Sequence, residues 1–275
     1  GDGGDELFGG YNRYRSAPSL VRAVGRIPSG MSGAVASALR GTSRLPGLDG
    51  LGRLGAAAGL GGQHRLTERL ARIAGAVDED GAAGIYDGLM AVSLSDPPLR
   101  PGLEPEGTDR SIYDPDTETL LAFMMREDQA RYLPDDLLAK VDRASMWTAL
   151  EVRVPILDHT VVKWSWGLPD ELKIHQGTAK WCLRTLAERY IPAEVLDRPK
   201  MGFTVPVDGW LRGELAGWLD EAVDERRTSQ RGLLEPEGVA AIHRDFRHGR
   251  PGHALGLWAL AVLEHWCEAH GVHFG

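Results

Sequence analysis

A glycine-rich acidic segment, GDGGDELFGG at residues 1–10, constrains the fold of this chain more than any other feature. Glycine lets a backbone approach a ligand closely and adopt positive φ. In α/β proteins such a loop normally follows a buried parallel strand and leads into a helix, because ligands bind at the carboxyl ends of the strands. The segment therefore predicts the edge of an α/β domain whose strand would precede Gly1.

The rest of the chain reads as helices separated by proline- and glycine-rich loops. Helices are predicted over 20–41 with a break near Pro28–Gly30, over 64–77, 116–133, 135–151, 159–168 and 178–190, with three more between 213 and 270. Pro134 is predicted to end one helix. Residues 152–158 are predicted to be extended, and 95–118 and 198–211 to be loops. The chain as given is therefore predicted to be mostly α.

The acids of the opening segment suit a metal-bound polyphosphate. Asp2, Asp5 and Glu6 offer hard oxygen ligands, and Mg²⁺ takes one or two carboxylates while water and phosphate oxygens complete its coordination. Main-chain N–H groups of such a loop can line a phosphate-binding concavity. The opening segment itself matches none of the Walker A, EF-hand and GxGxxG patterns. The alternative is an acidic surface turn that caps a helix beginning near Leu7.

Composition narrows the class of partner. A formal net charge of −8 argues against nucleic acid or an anionic membrane as the main partner. No run of 18 apolar residues is present, and the two cysteines, Cys182 and Cys267, do not form a disulfide framework. A cytoplasmic protein is therefore predicted.

Three blocks of sequence resemble the synthetase domain of glutamine-hydrolysing asparagine synthetases and their amidotransferase relatives. They are GDGGDELFGGYNRY at the start, the block beginning YLPDDLLAKVDR at 132–158, and the block beginning GTAKWCLRTLAERY at 177–211. Their order matches the family, and 16–116 carries no clear motif. The family's Ser-Gly-Gly-x-Asp-Ser loop is absent; GLGGQH at 59–64 is the nearest glycine pair.

The resemblance implies that residues 1–275 are the C-terminal helical portion of an α/β synthetase domain of the ATP-pyrophosphatase type (adenine nucleotide alpha hydrolase-like). It also implies a preceding sheet, a first pyrophosphate loop and a glutaminase domain outside these residues. The chain alone is then expected to be inactive, because half of the nucleotide pocket would be missing.

The resemblance also assigns individual roles. Asp2 would take part in adenylate formation and accept the ammonium proton, and Lys180 would contact the phosphates as the second catalytic residue. Asp5 would contact the Mg²⁺ on the pyrophosphate of ATP. The backbone at Gly1 and Gly3 would lie against the nucleotide.

The implied activity is ATP-dependent amidation of a carboxylate through an acyl-adenylate, with AMP and pyrophosphate as products. Aspartate is the expected carboxylate, ammonia would come from glutamine, and a homodimer is possible in this family. Two alternatives stay open: the same chemistry on a sugar acid or a peptide, and a non-catalytic interaction module that keeps the fold.

Several other side chains are predicted to be structural. Glu6 would support the loop, residues 140–143 would form a helix ion-pair network, and a buried Glu151–Arg153 clamp would hold its segment. Lys200 and Gly202 would order a loop beside the pocket. A terminal helix, rather than a zinc site, is predicted for His265, Cys267, His270 and His273, and a solvated patch for His243, His248 and His253. Cys182 is predicted to be buried. Core or interface positions are predicted for five tryptophans: Trp147, Trp164, Trp166, Trp181 and Trp258.

Overall fold

The computed structural model describes residues 2–28, 30–43, 73–74, 77, 81–90, 98–103, 112–198, 205–250 and 253–274. Within these ranges the chain is mostly helical, as predicted, and its sheet is a single two-stranded hairpin. The ATP-pyrophosphatase assignment stays a prediction. The chain divides into two compact units: unit 1 is Gly1–Arg26, Gly81–Tyr86 and Ser111–Gly202, and unit 2 is Ile27–Asp80, Asp87–Arg110 and Phe203–Gly275.

The elements follow one another in a simple order. The first half contains α1 (Gly4–Phe8), α2 (Asn12–Val24), α3 (Ser32–Ser43), α4 (Gly81–Met90), α5 (Leu120–Glu127), a π-helical segment (Asp128–Leu138), called the π segment below, and α6 (Ala139–Met146). Next come a 3-10 turn (Pro155–Leu157), α7 (His159–Trp166), α8 (Asp170–Lys173), β1 (Ile174–His175), β2 (Thr178–Ala179), α9 (Trp181–Ala187) and α10 (Ala193–Leu196). The last are α11 (Val207–Arg212), α12 (Ala216–Ala222), α13 (Glu225–Arg231), α14 (Pro236–Arg247) and α15 (Ala254–His270).

The predicted stop at Pro134 is wrong. The chain stays helical from Leu120 to Met146, and Pro134 lies inside the π segment. The Pro134 carbonyl accepts from the amide of Ala139, five residues on, which is the hydrogen-bond register of a π-helix. The widened turn accommodates the proline that a regular α-helix would reject at this position.

Other boundaries also differ from prediction. The break near Pro28 is confirmed, because α2 ends before it and α3 begins after it. Residues 152–158 are not extended throughout, since Pro155 starts a 3-10 turn. Residues 207–211 are helical rather than loop, and the described part of 213–270 holds four helices instead of three. Most of the helix predicted at 64–77 lies outside the described residues.

Unit 1 is built around the short helix α1. This helix packs against α5, the π segment, α7 and α9, and it buries Leu7 and Phe8 completely. Each such side chain contributes about 1.5–3 kcal/mol by leaving water. The Phe8 ring lies 6.2 Å from that of Trp164, centroid to centroid. The opening segment is therefore part of a packed core rather than a surface turn.

Unit 2 has an apolar core in which α15 packs against α11, α12 and α14. The cluster of buried side chains consists of Val207, Leu211, Leu219, Ala222, Val223, Val239, Phe246, Leu257 and Ala261. A buried ion pair joins Arg231 and Glu264 at 2.8 Å beside it. Among the described residues, no helix has both the length and the apolar character needed to cross a membrane.

The tryptophans differ from the core prediction. Trp147 is 90% exposed, Trp164 56% and Trp166 41%. Trp181 and Trp258 are half-buried. A core position is therefore wrong for the first three, because helical spacing does not report what packs against a face, and the alternative of an interface position stays a prediction for them.

Candidate functional site

The structure brings together two residues that lie far apart in the sequence, Asp5 and Lys180. The Lys180 ammonium Nζ lies 2.9 Å from Asp5 Oδ2, and both side chains keep partial contact with solvent. Asp5 belongs to α1, whose start is set by Gly3 in the left-handed conformation (φ 85°). The carboxylate predicted to contact Mg²⁺ and the ammonium predicted to contact phosphate therefore form one ion pair.

Lys180 is held in an uncommon backbone conformation. It precedes α9 with φ 54° and ψ 37°, whereas the sequence predicts that the helix already runs through it. The hairpin before it turns through Gln176 and Gly177, both with positive φ, as in a type I′ turn. Arg15 of α2 donates to the Gly177 carbonyl at 2.8 Å. A left-handed lysine costs roughly 1–3 kcal/mol, and such strain concentrates at functional sites.

Two glycines of the segment are required by close packing. A Cβ at Gly3 would collide with the Leu157 side chain of the 3-10 turn. A Cβ at Gly10 would collide with both the Asp5 carboxylate and the Lys180 side chain. The backbone at Gly10 therefore passes directly against the ion pair, and only glycine leaves room there.

Glu6 lies beneath this surface and is 1% exposed. The Tyr11 hydroxyl donates to Glu6 Oε1. Burial raises the pKa of Tyr11, and the neighbouring Glu6 carboxylate raises that pKa further. The Glu6 carbonyl accepts from Gln129 Nε2 at 3.1 Å. This arrangement fits the supporting role predicted for Glu6.

A second buried carboxylate, Asp128, was not singled out by sequence reasoning. It is fully buried and accepts from Arg13 Nη2 at 2.6 Å, from Tyr86 Oη at 2.6 Å and from Tyr14 Oη. Burial and the Asp128 charge raise the pKa values of Tyr14 and Tyr86. Burial alone would lower the pKa of Arg13, but Asp128 together with the Tyr14 and Tyr86 hydroxyls raises it overall. Nothing local to the sequence around Asp128 distinguishes it from a solvent-exposed helical acid.

The other predicted site residues are placed as follows. Asp2 is half-buried and makes no hydrogen bond or ion pair with any described residue. Gly1, Lys200 and Gly202 lie outside the described residues. The 140–143 ion-pair network is not formed: Lys140, Asp142 and Arg143 are exposed, and no ion pair joins them in the described part of the chain.

The predicted Glu151–Arg153 pair is present but not buried. Its side chains are 68% and 84% exposed, respectively. An exposed pair of this kind contributes under about 1 kcal/mol, so it does not act as the predicted buried clamp. Cys182 is half-buried rather than buried, and burial raises its pKa.

His265 and His243 of unit 2 contact other side chains, and the second cysteine is buried. His265 stacks on Trp218 at a centroid distance of 5.0 Å, and Cys267 is fully buried. His243 pairs with Asp220 at 3.0 Å, and burial lowers the pKa of His243, so this residue is not fully solvated. In the described ranges, no three or more His, Cys, Asp or Glu side chains are grouped so that they could hold a metal ion.

Comparison with known proteins identifies the family. A family model described as Asparagine synthase matches residues 1–268. Asparagine synthetase (glutamine-hydrolysing) 1 of Bacillus subtilis is 30% identical over 274 residues, which cover 97% of this chain and 39% of that protein. Asparagine synthetase (glutamine-hydrolysing) 3 of the same species is 33% identical over 148 residues, covering 50% of this chain and 24% of the relative.

A vertebrate relative matches a smaller part. Asparagine synthetase (glutamine-hydrolysing) of Gallus gallus is 36% identical over 109 residues, covering 36% of this chain and 19% of that protein. No solved structure matches the chain. The chain spans 39% of the length of the first Bacillus subtilis relative. The match over nearly every residue, with the glycine-acid segment and Lys180 brought together, shows that the chain belongs to the asparagine synthase family.

Proposed function

We propose that this chain contributes the nucleotide-handling site of an ATP-dependent amidation. A carboxylate would be activated by ATP as an acyl-adenylate, with release of pyrophosphate, and ammonia would then displace AMP to form the amide. The Asp5–Lys180 contact beside the glycine-acid segment is the observation that carries this proposal. Aspartate and glutamine are the proposed substrates, because the relatives are named glutamine-hydrolysing asparagine synthetases.

The residues present fit Mg-ATP. Asp5 provides one hard carboxylate oxygen, which is the ligand Mg²⁺ prefers, and Lys180 provides a cation for phosphate. Both side chains are partly exposed, so a ligand can reach the pair that they form. Gly10 keeps a side chain out of the space beside it. When bound, Mg²⁺ would neutralise phosphate charge and orient the leaving pyrophosphate.

Each side chain then has a distinct task. Lys180 would stabilise the negative charge that grows on the phosphates as the carboxylate attacks, because its ammonium is already held in place. Asp5 would bind the metal and, by pairing with Lys180, hold that lysine until phosphate arrives. Asp2 has no partner among the described residues and would accept the proton that ammonium loses before or during attack.

The strained backbone of Lys180 favours an enzyme over an interaction module. A left-handed lysine costs free energy, and a chain that had lost its catalytic use of that residue would gain stability by replacing it with glycine. The paired Asp5 gives the same indication, since an ion pair that keeps contact with solvent adds little stability by itself.

The test is carboxylate-dependent pyrophosphate release by the full-length protein with ATP, Mg²⁺ and ammonium or glutamine. We expect release with aspartate and a roughly 10²–10³-fold lower rate for Lys180→Ala, since one preorganised charge-stabilising group is lost. Ammonia formation from glutamine should be unchanged by this substitution. Lys163→Ala, which removes an exposed lysine from α7, is the matched control.

Other outcomes would contradict the proposal in distinct ways. Release with a sugar acid or a peptide but not with aspartate would replace the proposed substrate and keep the chemistry. No release with any carboxylate would favour the interaction module. A wild-type rate for Lys180→Ala would remove Lys180 from the site.

A further inference from the structure

We propose that Asp128 and Gln129, the first two residues of the π segment, are positioning residues that hold α1 and thereby the Asp5–Lys180 contact. The inference rests on the proposed function of that contact. The two residues are adjacent in the chain, and each is linked by side-chain contacts to Glu6, the neighbour of Asp5. One connection reaches the Glu6 carbonyl and the other reaches its carboxylate.

The first connection is direct. Gln129 Nε2 donates to the Glu6 carbonyl at 3.1 Å, and Gln129 Oε1 accepts from Trp166 Nε1 at 3.1 Å. A carbonyl can only accept and an indole N–H can only donate, so both ends of the amide are matched to their partners. Gln129 therefore ties the backbone of α1 to α7.

The second connection runs through Arg13. Asp128 binds the Arg13 guanidinium, whose Cζ lies 3.8 Å from the centre of the Tyr11 ring. The Tyr11 hydroxyl in turn donates to the Glu6 carboxylate. A cation over an aromatic face is attracted to it, and more strongly where both are desolvated. Asp128 thus fixes Arg13, Arg13 fixes the Tyr11 ring, and Tyr11 holds the side chain of Glu6.

Together the two connections fix both the main chain and the side chain of Glu6. Asp5 precedes it in α1, so a rotation or shift of α1 would move the Asp5 carboxylate relative to Lys180. The Lys180 backbone is held by the hairpin, whose turn accepts a hydrogen bond from Arg15 of α2 at the Gly177 carbonyl. The distance between the two charged groups therefore depends on how firmly α1 is held.

Unit 2 offers a matched control. Glu264 is also a buried carboxylate, and it binds two arginines of its own unit, Arg231 at 2.8 Å and Arg227 at 3.4 Å. Replacing either carboxylate by its amide leaves buried arginine charge without its counter-ion. The two substitutions should therefore disturb folding similarly, while only the one at Asp128 should affect α1.

The experiment is hydrogen exchange of the full-length protein and of its Asp128→Asn, Gln129→Met and Glu264→Gln variants. The amides of Leu7 and Gly10, which donate to the carbonyls of Gly3 and Asp5 at 2.9 Å, report on α1. We expect these amides to exchange about tenfold or more faster in the first two variants and at the wild-type rate in Glu264→Gln. Gln129→Met leaves the Asp128 cluster intact, so it tests the inference even if Asp128→Asn does not fold.

Kinetics supply the second readout. Since small misplacements of reacting groups lower the rate of the chemical step, kcat for pyrophosphate release should fall about 10–100-fold in Gln129→Met, with KM for ATP within about twofold of wild type. Glu264→Gln should keep the wild-type kcat below its unfolding transition. If the wild-type protein released no pyrophosphate, the proposed function would fail, and exchange would still decide whether Gln129 holds α1. The inference would be overturned if the Leu7 and Gly10 amides of Gln129→Met exchanged at the wild-type rate. It would also be overturned if they exchanged faster while kcat for pyrophosphate release stayed unchanged.

Discussion

The two units differ in what they bury. Among its described residues, unit 1 encloses the charged side chains of Glu6, in the helix that carries Asp5, and of Glu127, Asp128 and Lys173. The described part of unit 2 encloses a continuous apolar cluster, beside which lies the buried pair of Arg231 and Glu264. Burying charge rarely adds net stability, because the lost hydration offsets the attraction between the partners. The contrast indicates that unit 2 is organised mainly for stability, whereas unit 1 gives up stability to fix charged groups in place.

Removing an apolar ring from unit 2 should give the largest change in stability. Phe246 is fully buried and contacts the Arg212 guanidinium, whose Cζ lies 3.9 Å from the ring centre. We expect Phe246→Ala to lower the free energy of unfolding by about 3–5 kcal/mol, measured by urea denaturation. The kcat for pyrophosphate release should stay at its wild-type value under folding conditions. A lower kcat with unchanged stability would contradict the division between the units.

Adding a single methyl group in unit 1 should lower kcat and leave stability nearly unchanged, the reverse of the effect expected for Phe246→Ala. In Gly10→Ala the new Cβ would push Asp5 and Lys180 apart, so we expect kcat to fall about 10–100-fold with little change in stability. Gly217→Ala in α12 is the matched change in unit 2, where a Cβ meets nothing within 4 Å. It should stabilise the protein by about 0.5–1 kcal/mol and leave kcat unchanged. Equal effects of the two substitutions on kcat would remove the distinction.

Alkaline pH should weaken unit 1 selectively. Burial and Asp128 raise the pKa of Tyr86 above its ordinary value of 10, and that of Tyr14 likewise. The unfolded chain therefore loses these protons first, and the free energy of unfolding falls as pH rises above about 10. Tyr86→Phe should cost about 1–3 kcal/mol at neutral pH, because it removes one donor from Asp128, and should show a shallower alkaline decline. Urea denaturation across this pH range measures both, and a decline as steep as that of the wild type would contradict the assignment.

The smallest effect is expected for the stability of unit 2 at acidic pH, where His243 becomes protonated. Burial lowers the pKa of His243 from 6.5, Arg247 lowers it further, and Asp220 opposes the shift. Below pH 6.5 the unfolded chain binds the proton more readily, so stability present above that pH decreases as pH falls. In His243→Gln this loss should be absent, a difference under about 1 kcal/mol, visible as a flatter dependence of Tm on pH. A steeper dependence in the variant would contradict the stated direction of the shift.

The sequence indicates which residues belong to the candidate site better than it indicates how they are arranged. The glycine-acid segment stands out by its residue types, whereas Lys180 is singled out only by the resemblance to the asparagine synthetase family, and the roles of both stay predictions. The sequence does not show that Lys180 lies outside the helix, since that depends on the turn at Gln176–Gly177. Asn-Gly is the strong sequence signal for such a turn, and Gln-Gly is a weaker one.

The remaining errors have a common physical origin. Pro134 predicts a helix stop from local rules, but the contacts of Asp128 and Gln129 with distant elements favour a continuous helix in a wider register. Trp147 follows the spacing of a buried position yet is exposed, because burial depends on neighbours that periodicity does not reveal. Asp128 itself was missed, since its three donors come from residues distant in sequence. Local patterns thus identify groups, and long-range contacts decide where those groups act.

The π segment also changes the angular phase of the helix that contains it. In an α-helix each residue turns the chain by about 100°, whereas the wider turns of a π-helix hold more residues, so each residue of the π segment turns the chain by less. The faces of α6 are therefore offset from those that the pattern of α5 would extrapolate. Deleting one residue between 130 and 138 would rotate α6 as a whole while leaving Asp128 and Gln129 in place. The length of this segment, and not only its composition, therefore constrains which deletions this chain can tolerate here.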